Sequence, residues 1–194
     1  DKSRRLIGYY QKLAAAKTEV RPFPTDVPAA ADAASAPPPL WDNLGKLHFA
    51  IGTKNPLAQR YFDQGLKLGY AFNHAEAARA FRQAQRLDPD CAMCHWGEAL
   101  VLGPNINAPM DAAANHAALA AVERAQALAP KASARERELI AALALRYSGD
   151  AAAERGTLDA AYAKAMGKVA ARYPRDADIT LLYVEALMNL SPWD

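Results

Sequence analysis

The chain has 194 residues, enough for one well-buried domain or a short array of stacked repeats, and its formal net charge is +2. Alanine raises the hydrophobic fraction to 52%, and alternating runs rich in Val, Ile and Thr are missing, so we predict an all-α fold. Residues 1–21 carry six basic and two acidic side chains, which leaves the rest slightly acidic and excludes the basic footprint of a nucleic-acid-binding surface.

Residues 1–17 are predicted to form a basic amphipathic helix, because Leu6, Tyr10 and Leu13 recur at helical spacing among lysines and arginines. We expect this helix to dock on the domain's own surface. Contact with an anionic membrane surface or a partner is the alternative, which we do not favour. No apolar stretch approaches the roughly 20 residues that cross a bilayer.

Residues 18–54 are predicted to be a proline-rich linker and lead-in. Prolines between residues 22 and 39 fix φ and remove the backbone donors that a helix needs.

A 34-residue pattern of small and aromatic residues begins near Asn55. Small residues allow two antiparallel helices to approach closely, aromatic residues fill the space between them, and a proline ends the second helix. Counted from Ala58, the matching residues are Tyr61 (position 4), Gly65 (8), Ala77 (20), Phe81 (24), Ala84 (27) and Pro89 (32).

In this pattern the chain resembles the tetratricopeptide repeat (TPR) family, over about residues 55–190. The resemblance implies a short α-solenoid of stacked antiparallel hairpins across the predicted repeat region, residues 55–194. Such a stack has a concave groove that receives a peptide, a helix or a neighbouring subunit. Repeat register places Gln64, Lys67 and Glu98 as candidate groove residues that face outward.

The runs Phe72–Ala77 and Leu102–Asn105 also resemble the amino-terminal part of a group of long bacterial repeat proteins of unassigned function. In that group the residue after the second cysteine is often aromatic rather than histidine, which speaks against a haem-binding role. This resemblance also favours a chain that continues into further repeats.

Later helices are predicted from their caps and breaks. Asn73 with Glu76 indicates the start of a helix, and so does the capping box of Ser133 with Glu136. The helix-breaking run 103–109 is expected to accommodate an insertion between two helices. Residues 148–150 are expected to end one helix, and the next is predicted from about 157 to 173.

The last predicted helix, from about 176 to 190, is apolar nearly all round. A terminal helix of a solenoid normally turns a polar face to water. We therefore expect this one to be covered by further repeats or by another subunit, with self-association through residues 178–190 as the testable form.

The run 91–95 spells the motif of covalent haem c attachment. Cys91 and Cys94 have the spacing that reaches both vinyl groups of one porphyrin, and His95 offers an axial nitrogen. The candidates for the second axial ligand are Met110, His116, His74 and His48.

Two other interpretations of the same residues remain open. Cys91, Cys94 and His95 could bind copper or zinc, with His74 or His116 as a fourth ligand. Alternatively, the cysteines form a local disulfide or stay as quiet small side chains, and His95 replaces the aromatic residue of the repeat.

The leading functional hypothesis is a non-enzymatic scaffold that assembles protein complexes. The first alternative is an exported monohaem electron-transfer protein, and the second is a thiolate/histidine metal-binding protein. Haem c or a disulfide would indicate a periplasmic or extracellular location. No phosphate-cradling glycine loop or nucleophile elbow points to hydrolase or transferase chemistry.

Overall fold

The computed structural model describes residues 36–150 and 152–191, and all regular secondary structure in these residues is helical. The all-α prediction is confirmed for this part of the chain. The helices are α1 (Pro56–Tyr70), α2 (His74–Leu87), α3 (Ala92–Leu102), α4 (Ala112–Leu128), α5 (Ala134–Ala144), α6 (Arg155–Arg172) and α7 (Ala177–Met188), with a 3₁₀ turn at Ala129–Lys131. None of the helices within these two ranges is both long and apolar enough to span a bilayer. The predicted helix at 1–17 and the linker up to residue 35 lie outside the described residues.

Local capping explains where several helices begin. Asn55 accepts hydrogen bonds from the backbone N–H groups of Leu57 and Ala58 at the start of α1. The predicted capping box is confirmed, with Ser133 and Glu136 bonded in both directions at the start of α5. Asn73 occupies the cap position of α2, but its side chain makes no capping hydrogen bond.

The amino-terminal helices pack around Phe81. A Cβ atom on Gly65 of α1 would lie 2.7 Å from the Phe81 ring, and one on Gly97 of α3 would lie 2.3 Å from it. Phe62 meets the same ring edge-on, with the centroids 5.3 Å apart. The predicted contact of Gly65 with Phe81 is confirmed, and the close approach of α1, α2 and α3 depends on these two glycines.

Consecutive helices pack against one another along the chain, and α3 also contacts α1 and α5. The predicted break after α3 is confirmed: the chain leaves helical structure at Gly103 and returns to it at Ala112. Within this loop Asn105 and Ala108 form an isolated antiparallel bridge.

The lead-in segment, residues 36–54, is packed against the helices, which its proline-rich sequence alone did not predict. It is extended, and the compact unit begins at Ala36 rather than at residue 55. Gln64 accepts from the Trp41 N–H at 2.8 Å and donates to the Pro39 carbonyl at 2.8 Å, while Tyr61 donates to the Pro38 carbonyl at 2.9 Å. The backbone polar groups of this segment are paired by side chains of α1, which explains why a proline-rich stretch is ordered here.

Phe49 anchors the lead-in segment in the core. Its side chain is 1% exposed and lies against Phe62 of α1 and Trp96 of α3, and the Arg135 guanidinium of α5 lies 4.1 Å from its ring centroid. Farther along, the Gly52 N–H donates to the Glu136 carboxylate at 2.6 Å. The segment therefore contacts α1, α3 and α5 in turn.

Candidate functional site

The cysteine pair lies at the start of α3 and forms a disulfide. The Cα atoms of Cys91 and Cys94 are 5.3 Å apart, and the two residues are 1% and 0% exposed. Cys91 is the cap residue of α3, and its sulfur accepts the Cys94 N–H at 3.1 Å. The disulfide interpretation from the sequence describes this geometry.

His95 follows the cysteine pair, and at least one of its ring nitrogens is shielded from water. Its Nε2 is buried and has no hydrogen-bond partner among the described residues. Burial lowers the pKa of His95, with the Pro89 carbonyl opposing the effect, so the ring is neutral near pH 7.

The geometry at the disulfide does not fit haem c. Thioether attachment needs two free sulfurs that reach the porphyrin edge, whereas these sulfurs are bonded to each other and enclosed by the core. The cysteines would have to be reduced and the start of α3 opened before a porphyrin could reach them. No step of a mechanism is therefore derived through haem.

The other proposed ligands are dispersed. His48 is exposed and its Nδ1 lies 2.8 Å from the Asp63 carboxylate, His116 is exposed on α4, and Met110 packs against the core from the loop before α4. His74 lies at the start of α2, on the wall of a cavity described below. Within residues 36–150 and 152–191, no three His, Cys, Asp or Glu side chains are grouped so that they could hold a metal ion.

Two of the three predicted groove residues face inward, which corrects the outward orientation expected from the repeat register. Gln64 is 2% exposed because it binds the lead-in segment, and Glu98 is 9% exposed because it accepts from Arg82 at 2.6 Å and Gln85 at 2.7 Å. Lys67 is half-buried. Register alone placed these residues on an open face, and it could not show that residues 36–54 cover part of that face.

A buried polar cluster, which the sequence analysis missed, joins α6 to the segment after α5. Arg146 is 1% exposed, lies 3.3 Å from Asp159 of α6 and donates to the Pro104 carbonyl at 2.8 Å. Arg155 binds both oxygens of the Asp159 carboxylate, at 3.0 and 3.1 Å. We call Arg146, Asp159 and Arg155 the arginine cluster; it ties the loop after α3 to α6.

Two buried tyrosines lie against the arginine cluster. The Tyr162 ring centroid is 4.8 Å from the Arg146 guanidinium carbon, and Tyr147 donates to the Ala99 carbonyl. Burial raises the pKa of Tyr147 to about 12 and raises that of Tyr162 further, so both phenols stay neutral. The Tyr162 hydroxyl has no partner in the described part of the chain.

A cavity of about 270 Å³, which we call the α7 cavity, lies between the α1–α2 turn, the loop after α3 and α7. Its polar side chains are Tyr70, His74, Asn105 and Glu185, and the rest of its lining is apolar apart from Gly69. A smaller space of about 50 Å³ shares Tyr70, His74 and Glu185 with it and extends inward to Leu66. The ionisable side chains Tyr70, His74 and Glu185, from three different helices, therefore line one cavity.

The sequence contains one indication of this cavity, an isolated charge in an apolar helix. Glu185 is the only charged residue between Ile179 and Leu190, in a helix that is otherwise almost entirely apolar. A lone carboxylate in such a run has to be paired, neutralised or functional.

Comparison of the chain with protein-family models, with curated proteins and with solved structures finds no match.

Proposed function

We propose that this protein is a non-enzymatic, TPR-like helical scaffold, and that its assembly contact joins α7 and the turn after it to a second copy of the chain. The residues of this surface are those predicted at the outset, 178–190. The proposal is carried by one observation: Leu181, Val184, Leu187, Met188 and Leu190 are each between 42% and 46% exposed. A run of large apolar side chains left half in water typically marks a contact surface.

The helix packing supports a stack of hairpins. Helices α1, α3 and α5 touch in succession, as the first helices of stacked hairpins would, while α2, α4 and α6 join them in chain order. The packing of Gly65 and Gly97 on Phe81 is the kind of small-to-aromatic contact that the repeat code requires.

Because the lead-in segment occupies the groove of the stack, α7 is a better docking surface for a partner than the groove is. In a stack of hairpins the groove is formed by the first helices, and here residues 38–52 already contact α1, α3 and α5. Phe49 is buried in the core, so a peptide could not replace this segment without opening the domain.

The experiment is light scattering of the full chain over about a hundredfold dilution, because an isologous contact is lost by mass action. We expect dimers that dissociate on dilution, and monomers at every concentration for the double variant Leu187→Glu/Leu190→Glu. The control variant Leu57→Glu/Leu145→Glu adds the same charge at two leucines outside α7, which are 38% and 49% exposed. This control should dimerise like the parent chain. A parent chain that is monomeric throughout, or a control that is equally monomeric, contradicts the proposal.

The disulfide supports residence in an oxidising compartment, such as the periplasm or the extracellular space. It does not support the two cofactor alternatives, because haem c attachment and thiolate metal binding both need free sulfurs. An absorption spectrum of the denatured, reduced protein separates the cases. A haem band that survives acid-acetone extraction would replace the scaffold proposal with the electron-transfer alternative.

A further inference from the structure

The α7 cavity contains polar atoms that the protein itself leaves unpaired. The Tyr70 hydroxyl and Oε2 of Glu185 are buried and have no hydrogen-bond partner in the described residues. The His74 ring nitrogens are also buried and make no hydrogen bond of normal geometry there, although the Val101 carbonyl interacts with the ring. All three side chains line the cavity. Buried polar atoms are paired in more than about nine cases of ten, so a group of them on one hollow indicates a missing partner.

The electrostatics of the cavity favour a positively charged partner. The other oxygen of Glu185, Oε1, accepts a hydrogen bond from the Asn189 amide, and no Lys or Arg of the described residues lies on the cavity wall. Arg146 does not line the cavity; its Nε and Nη2 bind Asp159 and the Pro104 carbonyl, while its Nη1 is buried without a partner among the described residues. Arg146 acts on Glu185 through its field rather than through an ion pair.

His74 adds a neutral acceptor. Burial lowers the pKa of His74, with the Val101 carbonyl opposing the effect, so the imidazole offers one lone pair and one N–H near pH 7. Burial raises the pKa of Tyr70, so its phenol also stays neutral. The three groups together provide one acid and two neutral acceptors, which suits an ammonium with three donors.

The α1–α2 turn holds an aromatic ring at the cavity mouth at a conformational cost. Phe72 has φ 59°, and its ring is 54% exposed beside His74, with the centroids 6.2 Å apart. Glycine usually occupies this left-handed position at the end of a helix, and a bulky residue there strains the backbone. An exposed ring kept in such a conformation indicates a role other than packing.

We propose that the α7 cavity binds a small organic amine whose ammonium group contacts Glu185 and His74 and whose apolar body lies against Leu181, Val184 and Met188. The cavity volume of about 270 Å³ corresponds to roughly nine water volumes, the space for a body of about that many non-hydrogen atoms. The aromatic faces of Tyr70 and Phe72 add attraction for the cation.

The experiment is calorimetric titration of the full chain with phenethylamine, compared with 2-phenylethanol, which has the same shape without the charge. We expect phenethylamine to bind at least tenfold more tightly than the alcohol. Glu185→Gln should weaken the amine at least tenfold and leave the alcohol unchanged, whereas Glu123→Gln, at an exposed glutamate of α4, should change neither. Equal binding of the two compounds, no binding of phenethylamine, or full affinity in Glu185→Gln overturns the proposal.

A second variant tests whether the Phe72 ring contacts the bound amine or only supports the fold. Phe72→Gly removes the ring and suits the left-handed backbone, so it should raise the unfolding temperature and lower amine affinity together. Unchanged affinity in a folded Phe72→Gly protein would contradict the role of the ring.

The amine proposal goes beyond the scaffold proposal and can fail separately from it. Leu181, Val184 and Met188 belong both to the cavity wall and to the proposed self-association surface, so a second copy and the amine would compete for them. The titrations are therefore also carried out on the variant Leu187→Glu/Leu190→Glu, whose two substitutions lie outside the cavity wall. A parent chain that stays monomeric removes the self-association proposal and leaves the amine titration fully interpretable.

Discussion

The two ends of the described domain have different interiors. At the amino-terminal end, Phe81 is packed between Gly65 and Gly97 so closely that neither glycine has space for a methyl group. At the carboxyl-terminal end, Arg146, Asp159 and Tyr162 are buried, and Glu185 lines an open cavity. The carboxylates buried at the first end, Asp63 and Glu98, are hydrogen-bonded, whereas at the second end the Tyr162 hydroxyl and Oε2 of Glu185 have no partner among the described residues. We therefore expect the first end to determine the stability of the fold and the second end to contain the proposed binding site.

The largest expected effect belongs to the amino-terminal end. Phe81→Ala should lower the free energy of unfolding by about 4 kcal/mol because it leaves a cavity, and Gly97→Ala by about 3 kcal/mol because the new methyl overlaps the ring. Denaturant unfolding of the two single variants and the double variant measures both effects. The double variant should lose clearly less than the sum, since the smaller residue at 81 makes room for the methyl at 97. Additive losses would contradict the described contact.

A smaller loss is expected in the arginine cluster. Arg146→Met removes one partner of a buried carboxylate, but Arg155 still binds Asp159, so we expect a loss of about 2–3 kcal/mol rather than the full cost of an unpaired charge. The matched control is Arg172→Met, where the arginine side chain is 67% exposed and pairs with Glu138, and it should change stability little. Equal effects of the two variants in denaturant unfolding would argue against a special interior at this end.

The smallest effect concerns the dependence of stability on pH. Burial raises the pKa of Glu185 in the folded chain above its ordinary value of 4.5, so the folded state holds this proton more tightly than the unfolded state. The contribution of Glu185 to the free energy of unfolding is therefore fully present below pH 4.5 and is lost as the pH rises through the folded-state pKa. Glu185→Gln should therefore be more stable than the parent near neutral pH, by about 1 kcal/mol, and the difference should vanish in acid. Thermal unfolding at a series of pH values checks the sign, and a variant less stable than the parent near pH 7 would contradict it.

How much the sequence could predict depends on the range of the interactions. The spacing of Gly65 and Phe81 and the capping pair Ser133 and Glu136 are local codes, and the structure confirms both. The predicted outward orientation of Gln64 was wrong because the repeat register does not show that the proline-rich segment before α1 packs on that helix.

The cavity and the arginine cluster were missed for a different reason. Tyr70, His74 and Glu185 come from three helices, with more than a hundred residues between the second and the third, so no spacing rule connects them. Only the tertiary packing of α7 beside the α1–α2 turn brings them together. The isolated charge at Glu185 was the one feature that could have drawn attention to this helix in advance.

The measurement that tests this account most directly is a nuclear magnetic resonance titration of the Glu185 side-chain carboxyl carbon, without and with saturating phenethylamine. Our account predicts a pKa above 4.5 in the free protein and a lower pKa when the ammonium is bound, because an adjacent cation favours the carboxylate. A carboxyl that titrates at its ordinary value in both samples would show that Glu185 is neither enclosed nor part of a binding site, and would contradict the proposed binding site at this end of the molecule.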